Sequence, residues 1–244
     1  MSNGGIMKYK KLIFYLDGTL VSDRESMKYA FCCVLKELGI TPSKNLALEW
    51  LKFDDAYWHE IESGRTVFPE YVQTKEDRRV YAQAMRFVLF FESFPISFEQ
   101  AIHFNDVYCE NLGMNIVPIL GAEEVLCFLK ENYEIYIATN GPRRSALKKL
   151  ENANLSSYIS GVLSSEDAGI TKPSKIFFDS LFQMMQYPHK EEALMIGDGI
   201  TTDILGGMQY GIDTCLFNPN NNQIPIDCKP TMSVQSLLEL KRKL

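Results

Sequence analysis

No stretch of this sequence approaches the roughly 18 consecutive apolar residues that a membrane-spanning helix needs. The opening decapeptide, MSNGGIMKYK, holds no apolar signal-peptide core either. These two absences predict a cytoplasmic protein with no membrane partner. Positive charge is also in short supply: 25 Lys and Arg face 31 Asp and Glu, for a net charge of -6. No basic stripe dominates, which excludes the electrostatic footprint of a nucleic-acid binder. An anionic ligand would have to be held by local backbone N–H groups and single lysines. Histidine is rare, and His59, His103 and His189 are too scattered for ligand spacing, so surface or partly buried positions are expected. The six cysteines, Cys32, Cys33, Cys109, Cys127, Cys215 and Cys228, show no Cys-x-x-Cys spacing. Adjacent Cys32 and Cys33 fit neither an ordinary disulfide nor a zinc knuckle. Reduced, mostly buried thiols are expected. Internal repeats and low-complexity tracts are missing too.

What is present is an alternation. KLIFYL (11–16), YEIYIAT (133–139), YISGVLSS (158–165), ALMIGD (193–198) and IDTCLF (212–217) are short apolar runs. Such runs read as strands buried on both faces. Helical patterns such as RRSALKKLENANL and SKIFFDSLFQMMQ lie between the later ones. Strand–helix alternation predicts an α/β class with right-handed crossovers and a Rossmann-like parallel sheet. In such sheets ligands sit beyond the carboxyl ends of the strands.

From Leu20 to about Val117 no strand signal appears. ESMKYAFCCVLKELG, NLALEWLKFDDAYWHEIESG, KEDRRVYAQAMRFVLFFE and SFEQAIHFNDVYCENLG read as helices, punctuated by Gly39, Pro42, Gly64, Pro69, Pro95 and Gly113. The expected organisation is a core of residues 1–21 and 116–244, with an inserted all-α lobe over 22–115. That lobe leaves and re-enters beside the end of the first strand. It is expected to cover whatever sits there, with linkers near 20–23 and 113–118 side by side as a hinge.

Each strand end delivers polar groups. The first ends at Asp17-Gly18-Thr19 and the second at Thr139-Asn140-Gly141. Lys172 precedes Pro173 after the third, and GDGITTD after the fourth carries Asp198 and Asp203. Phosphoryl transfer needs such a set. Thr139 and Asn140 can hold phosphate oxygens, and Lys172 can offset charge spreading over them. Carboxylates can hold Mg²⁺, a hard cation that takes oxygen ligands. Gly18, Gly141 and Gly197 let backbone approach the ligand. Taken singly, each piece has a plain reading: a helix N-cap for Asp203, a surface lysine, a turn. Their order and spacing together carry the signal. A small phosphorylated metabolite is the expected partner; oligomeric state is not legible.

On these residues the sequence resembles the haloacid dehalogenase-like (HAD) superfamily, mostly phosphatases. LDGTL resembles its first motif, ordinarily Asp-x-Asp-Gly-Thr. ATNG resembles the second, TKPSKIFF the third and MIGDGITTDILGG the fourth. The likeness covers about 8–20 and 117–244, and the inserted lobe is similar to the mobile cap of the family's C1 type. YWHEIESGRTVFPE, followed by Arg86, more loosely resembles the cap of the pyrimidine and house-cleaning 5′-nucleotidase branch. The resemblance implies that Asp17 is the general acid/base, with its backbone carbonyl on Mg²⁺. It implies that Thr139, Asn140 and Gly141 bind the phosphoryl group beside Gly18 and Thr19, and that Lys172 neutralises it. Asp198 would be a metal ligand, and Asp203 would orient the metal shell.

The family's nucleophile falls two residues before Asp17, and that residue is Tyr15. An aspartyl nucleophile forms an acyl phosphate that water then frees. A phenol is largely protonated at neutral pH, its phosphate ester lacks the labile acyl linkage, and the ring is bulkier. One anionic metal ligand is also lost. Little turnover by the usual route is therefore expected. Three explanations stay open: a pseudo-phosphatase that binds a phosphorylated ligand or a protein, a single-base change of an Asp codon to Tyr, or slow catalysis by Asp17 and water. Dehalogenation needs the same missing aspartate. In the lobe, Phe53, Tyr57 and Trp58 lie at near-helical spacing. They either pack the helices or offer a surface on which Trp58 stacks a nucleobase.

Overall fold

The apolar run after Tyr9 becomes the strand on which the rest of the sheet is hung. This computed structural model describes residues 8–62, 64 and 66–244. The first elements among the described residues are β1 (Lys11–Phe14) and a two-residue β2 (Val21–Ser22). The inserted segment follows, with α1 (Arg24–Glu37), α2 (Lys44–Glu62), α3 (Lys75–Phe90) and α4 (Phe98–Asn111), then β3 (Leu112–Asn115). The chain returns through β4 (Val117–Pro118), α5 (Ala122–Leu129), β5 (Glu134–Thr139), α6 (Arg143–Asn152) and β6 (Gly161–Ser164). It continues through α7 (Ser165–Ala168), α8 (Lys175–Met184), β7 (Ala193–Gly197), α9 (Gly206–Tyr210), β8 (Asp213–Phe217), β9 (Met232–Val234) and α10 (Leu240–Lys243).

The main sheet runs β6-β5-β1-β7-β8-β9, and all its pairings are parallel. Central β1 sits between β5 and β7, with Leu12 opposite Ile135 and Leu194. Alternation along the strands feeds two cores. Leu12, Phe14, Ile135, Ile137, Leu194 and Ile196 point into one with α5 and α10. Ile13, Tyr136, Ala138 and Met195 point into the other with Phe177, Phe178 and Leu181 of α8. Covering both faces is what lets these strands be apolar without a break.

The chain divides into two compact units, one ending at Ser22 and resuming over Ile116–Leu244, the other Asp23–Asn115. The inserted unit has its own core around Trp50, which stacks on Phe31 at 4.5 Å and Phe87 at 4.8 Å. Beside it Arg86 is buried. It donates to Asp54 at 2.9 Å and to Asn105 at 2.9 Å, and its guanidinium lies 4.7 Å from the centre of the Tyr108 ring.

Several expectations need correction. The segment between Leu20 and Val117 is not free of strands: β2 and β3 lie in or at the edge of it. β2 pairs antiparallel with β4, Val21 opposite Pro118, apart from the main sheet. YISGVLSS is a strand only over Gly161–Ser164, because Ser156–Tyr158 winds into a 3₁₀ turn. β9 follows a polar loop and was not legible as a strand. Among the described residues the cysteines form no disulfide, but only Cys215 and Cys228 are buried, and Cys127 is exposed. His59, His103 and His189 are exposed. Ser63 and Arg65 of the YWHEIESGRTVFPE resemblance lie outside the described residues. Among the described residues no helix is long and apolar enough to cross a membrane.

Candidate active site

β1, β5 and β7 end at one edge, and the polar residues that follow them gather there. Tyr15 still belongs to the sheet: its N–H donates to Ile196 O at 2.9 Å. Its ring continues the Ile13 face and packs against the α8 core. The chain then turns tightly, with the N–H groups of Leu20 and Val21 both donating to Leu16 O. Gly18 takes φ +80°, and a Cβ there would lie 2.4 Å from Asp198 Oδ2. Only glycine meets both demands. Thr19 is fully buried, and its hydroxyl donates to Asp198 Oδ1 at 2.7 Å.

Lys172 is the charge at the centre. It is 2% exposed, yet its Nζ reaches Asp203 Oδ1 at 2.5 Å and Ala138 O at 2.8 Å. Its Nζ also lies 4.1 Å from the centre of the Tyr15 ring, a cation–π contact. Lys172, Asp203 and Tyr15 therefore meet in one place. Asp203 is fully buried in a π-helical turn, Ile200–Leu205, where Ile204 N–H donates to Gly199 O five residues back. The wide turn directs Asp203 inward, and its Oδ2 accepts from Gly199 N at 3.1 Å. Gly197 leaves room for it, since a Cβ there would lie 2.2 Å from Asp203 Oδ2. The helix N-cap reading of Asp203 does not hold.

Asp198 is solvent-exposed, so its carboxylate can meet a ligand. Neighbouring protein atoms nevertheless crowd its carboxylate. Desolvation raises its pKa to about 6, opposed by the Thr19 hydrogen bond and reinforced by the nearby negative charge of Asp203.

On the β5 side, Thr139 is fully buried and its Oγ1 accepts from Gly141 N at 3.0 Å, closing the turn. Asn140 is engaged twice with the Lys172 main chain: Oδ1 accepts from Lys172 N at 2.8 Å and Nδ2 donates to Lys172 O at 3.2 Å. Its side chain thus braces the lysine loop. Asp17 accepts from Lys149 of α6 at 2.6 Å, a partner no sequence pattern indicated. Trp58 belongs to the inserted unit. There it donates to Asp54 and its ring faces the Arg86 guanidinium at 5.5 Å.

The donors able to hold a metal are all oxygens, as Mg²⁺ requires. Asp198 is the accessible carboxylate, while Asp203 is spent on Lys172 and Gly199. Among the described residues no three His, Cys, Asp or Glu side chains gather closely enough for a metal. The oxygen donors at this edge fit Mg²⁺ in kind.

Residues 10–211 match the haloacid dehalogenase-like hydrolase family. The chain is 30% identical over 235 residues to pyrimidine 5'-nucleotidase PynA of Streptococcus pneumoniae (strain ATCC BAA-255 / R6), covering 96% of this chain and 94% of that protein. It is 33% identical over 140 residues to pyrimidine 5'-nucleotidase YjjG of Escherichia coli (strain K12), covering 57% and 62% respectively. The crystal structure of YfnB from Bacillus subtilis, bound to magnesium, superposes with a TM-score of 0.84 at 24% identity, over 97% of this chain and 99% of that one. That last likeness speaks for the fold.

Proposed function

Because this chain belongs to the haloacid dehalogenase-like hydrolase family, we propose that it is a phosphatase scaffold for small phosphate monoesters whose turnover is suppressed by Tyr15. The observation that carries the reading is the meeting of Lys172, Asp203 and Tyr15 at the strand edge that also holds Asp17 and Asp198. Pyrimidine nucleoside monophosphates are the first substrates to try, on the strength of the likeness to PynA and YjjG.

In this reading the Thr139–Gly141 turn receives the phosphoryl oxygens. Lys172, held against Asp203, supplies a fixed positive charge that needs no reorganisation as the transition state forms. Asp17 gives its proton to the leaving oxygen. Asp198 and the Asp17 main-chain oxygen would hold Mg²⁺, which when bound polarises phosphoryl oxygens. With Tyr15 in place the binding is weak and the attacking carboxylate is missing. Loss of a nucleophile that works as part of a unit costs on the order of 10⁶ in rate, by analogy with a dissected serine protease.

A second reading, a module that binds a phosphorylated ligand or a protein without turnover, is favoured by the charge pairing. Lys172 is balanced by Asp203 and the Tyr15 ring, and Asp17 by Lys149. Tyr15→Asp separates the two. It should hydrolyse p-nitrophenyl phosphate or uridine monophosphate in a Mg²⁺-dependent way, well above the parent chain. A folded but inactive Tyr15→Asp protein favours the binding module, and calorimetry of the parent with nucleoside monophosphates then tests it. Strong hydrolysis by the parent means that some other group attacks.

A further inference from the structure

Lys149 is, among the described residues, a buried cation at this edge that none of the family motifs supplies. It lies in the second turn of α6, on a face that is otherwise core: Ala146 and Leu150 beside it pack into the main hydrophobic cluster. Its side chain is 6% exposed and that of Asp17 17%. Helical side chains lean toward the helix N-terminus. A long one from the second turn therefore carries its ammonium back to the strand edge from which α6 starts.

A charge in this place needs an explanation. Taking a lysine out of water is costly, and well-packed apolar residues often replace a buried ion pair without loss. An apolar residue would suit the Ala146–Leu150 face. One turn earlier, Ser145 is also buried, and its Oγ has no hydrogen-bond partner. Positions i and i+4 share a helix face. α6 thus keeps a polar strip, Ser145 and Lys149, inside an apolar interface, and Lys149 ends on Asp17.

Lys149 Nζ holds Asp17 Oδ1 at 2.6 Å. The other oxygen, Oδ2, lies 3.9 Å from where a Cβ on Gly141 would stand, so it faces the Thr139–Gly141 turn. The terminal torsion of an aspartate is broad, and at a strand end nothing intrinsic selects which oxygen faces which way. We propose that Lys149 is a positioning residue that pins Oδ1 of Asp17 so that Oδ2 is presented to the phosphoryl-binding turn. The role of the presented oxygen rests on the phosphatase reading; the pinning itself does not. Placement of this kind matters because a misplacement of about 1 Å at a reacting group can cost about 10²-fold in rate.

The test has two arms. The first needs no activity: crystal structures of Lys149→Met and Lys149→Arg in the parent chain. In Lys149→Met the Asp17 carboxylate should leave its present orientation, with Oδ2 no longer facing Gly141. In Lys149→Arg it should stay. If Lys149→Met does not fold, Lys149→Gln, too short to reach with the same geometry, takes its place. An Asp17 carboxylate unmoved in the uncharged variant overturns the proposal, whatever the enzyme does. The second arm uses the Tyr15→Asp background with p-nitrophenyl phosphate. Adding Lys149→Met should lower kcat about a hundredfold with KM within about twofold, and Lys149→Arg should recover most of it. A rise in KM with kcat kept, or no recovery by arginine, contradicts positioning. If Tyr15→Asp is itself inactive, the phosphatase reading fails while the crystallographic arm still decides the inference.

Discussion

Lys172 puts a charge where no solvent reaches, and Asp203 is what makes that tolerable. Removing one member of a buried pair leaves the other uncompensated, at about 3–5 kcal/mol. Lys172→Met should therefore destabilise the fold by that amount in urea unfolding. Lys172→Met combined with Asp203→Leu should be clearly less damaging than the two single changes summed, and strict additivity would contradict the pairing. Cys215 offers a different test, in pH. Burial pushes its thiol up to about 12, against roughly 8.5 in an unfolded chain. With the folded pKa raised, the stabilisation is complete below about pH 8.5 and drains away as pH climbs toward 12. The unfolded chain releases the proton first, so stability falls by about 1.4 kcal/mol per pH unit within that window. Urea unfolding at pH 7, 9 and 10 should show a shallower alkaline decline in Cys215→Ala than in the parent. At this scale the strand-end residues were legible, because each follows an apolar run directly in sequence. Lys149 was not, since its partner is 132 positions away. Nor was the brace Asn140 forms on Lys172, for the amide alone does not tell whether it faces a ligand or the neighbouring loop.

The helices of the inserted unit begin where side chains satisfy their first N–H groups. Thr74 and Asp77 form a reciprocal capping box at α3, and Ser97 and Gln100 do the same at α4. Ser97→Ala should cost about 1 kcal/mol in thermal or urea unfolding, and Ser97→Gly only a few tenths, because glycine leaves the backbone free to be capped by water. An equal cost for the two would point to lost packing instead. These helices could be read from their 3.6-residue apolar periodicity and the Gly and Pro that separate them. The long strands were legible because both their faces are buried. What escaped were β2, β3, β4 and β9, at two to four residues each. A strand that short has no room for a period, and only its cross-strand partner defines it. The π-helical turn over Ile200–Leu205 escaped for another reason. The two glycines before it permit the geometry without announcing it, and the inward pull of Asp203 toward Lys172 completes it.

The whole chain holds separate apolar cores, one set around the sheet and one around Trp50. Truncating a fully buried aromatic costs about 3–5 kcal/mol, and that loss should be felt first by the core it belongs to. In hydrogen–deuterium exchange, Trp50→Ala should lose protection mainly across Asp23–Asn115. Phe177→Ala should lose it mainly in β5, β7 and α8. Uniform loss in both variants would mean that the two units open as one. The pairing of Val21 with Pro118 and of Ser22 with Val117 has a consequence for how such a chain can be rebuilt. The entry and exit of the insertion are already neighbours, so its length adds little to the entropy of closing that loop. In recombination terms, residues 23–116 are a cassette with compatible ends. A foreign module, or a bare Asn-Gly turn joining two antiparallel strands, can be spliced between Ser22 and Val117 while the sheet keeps its register.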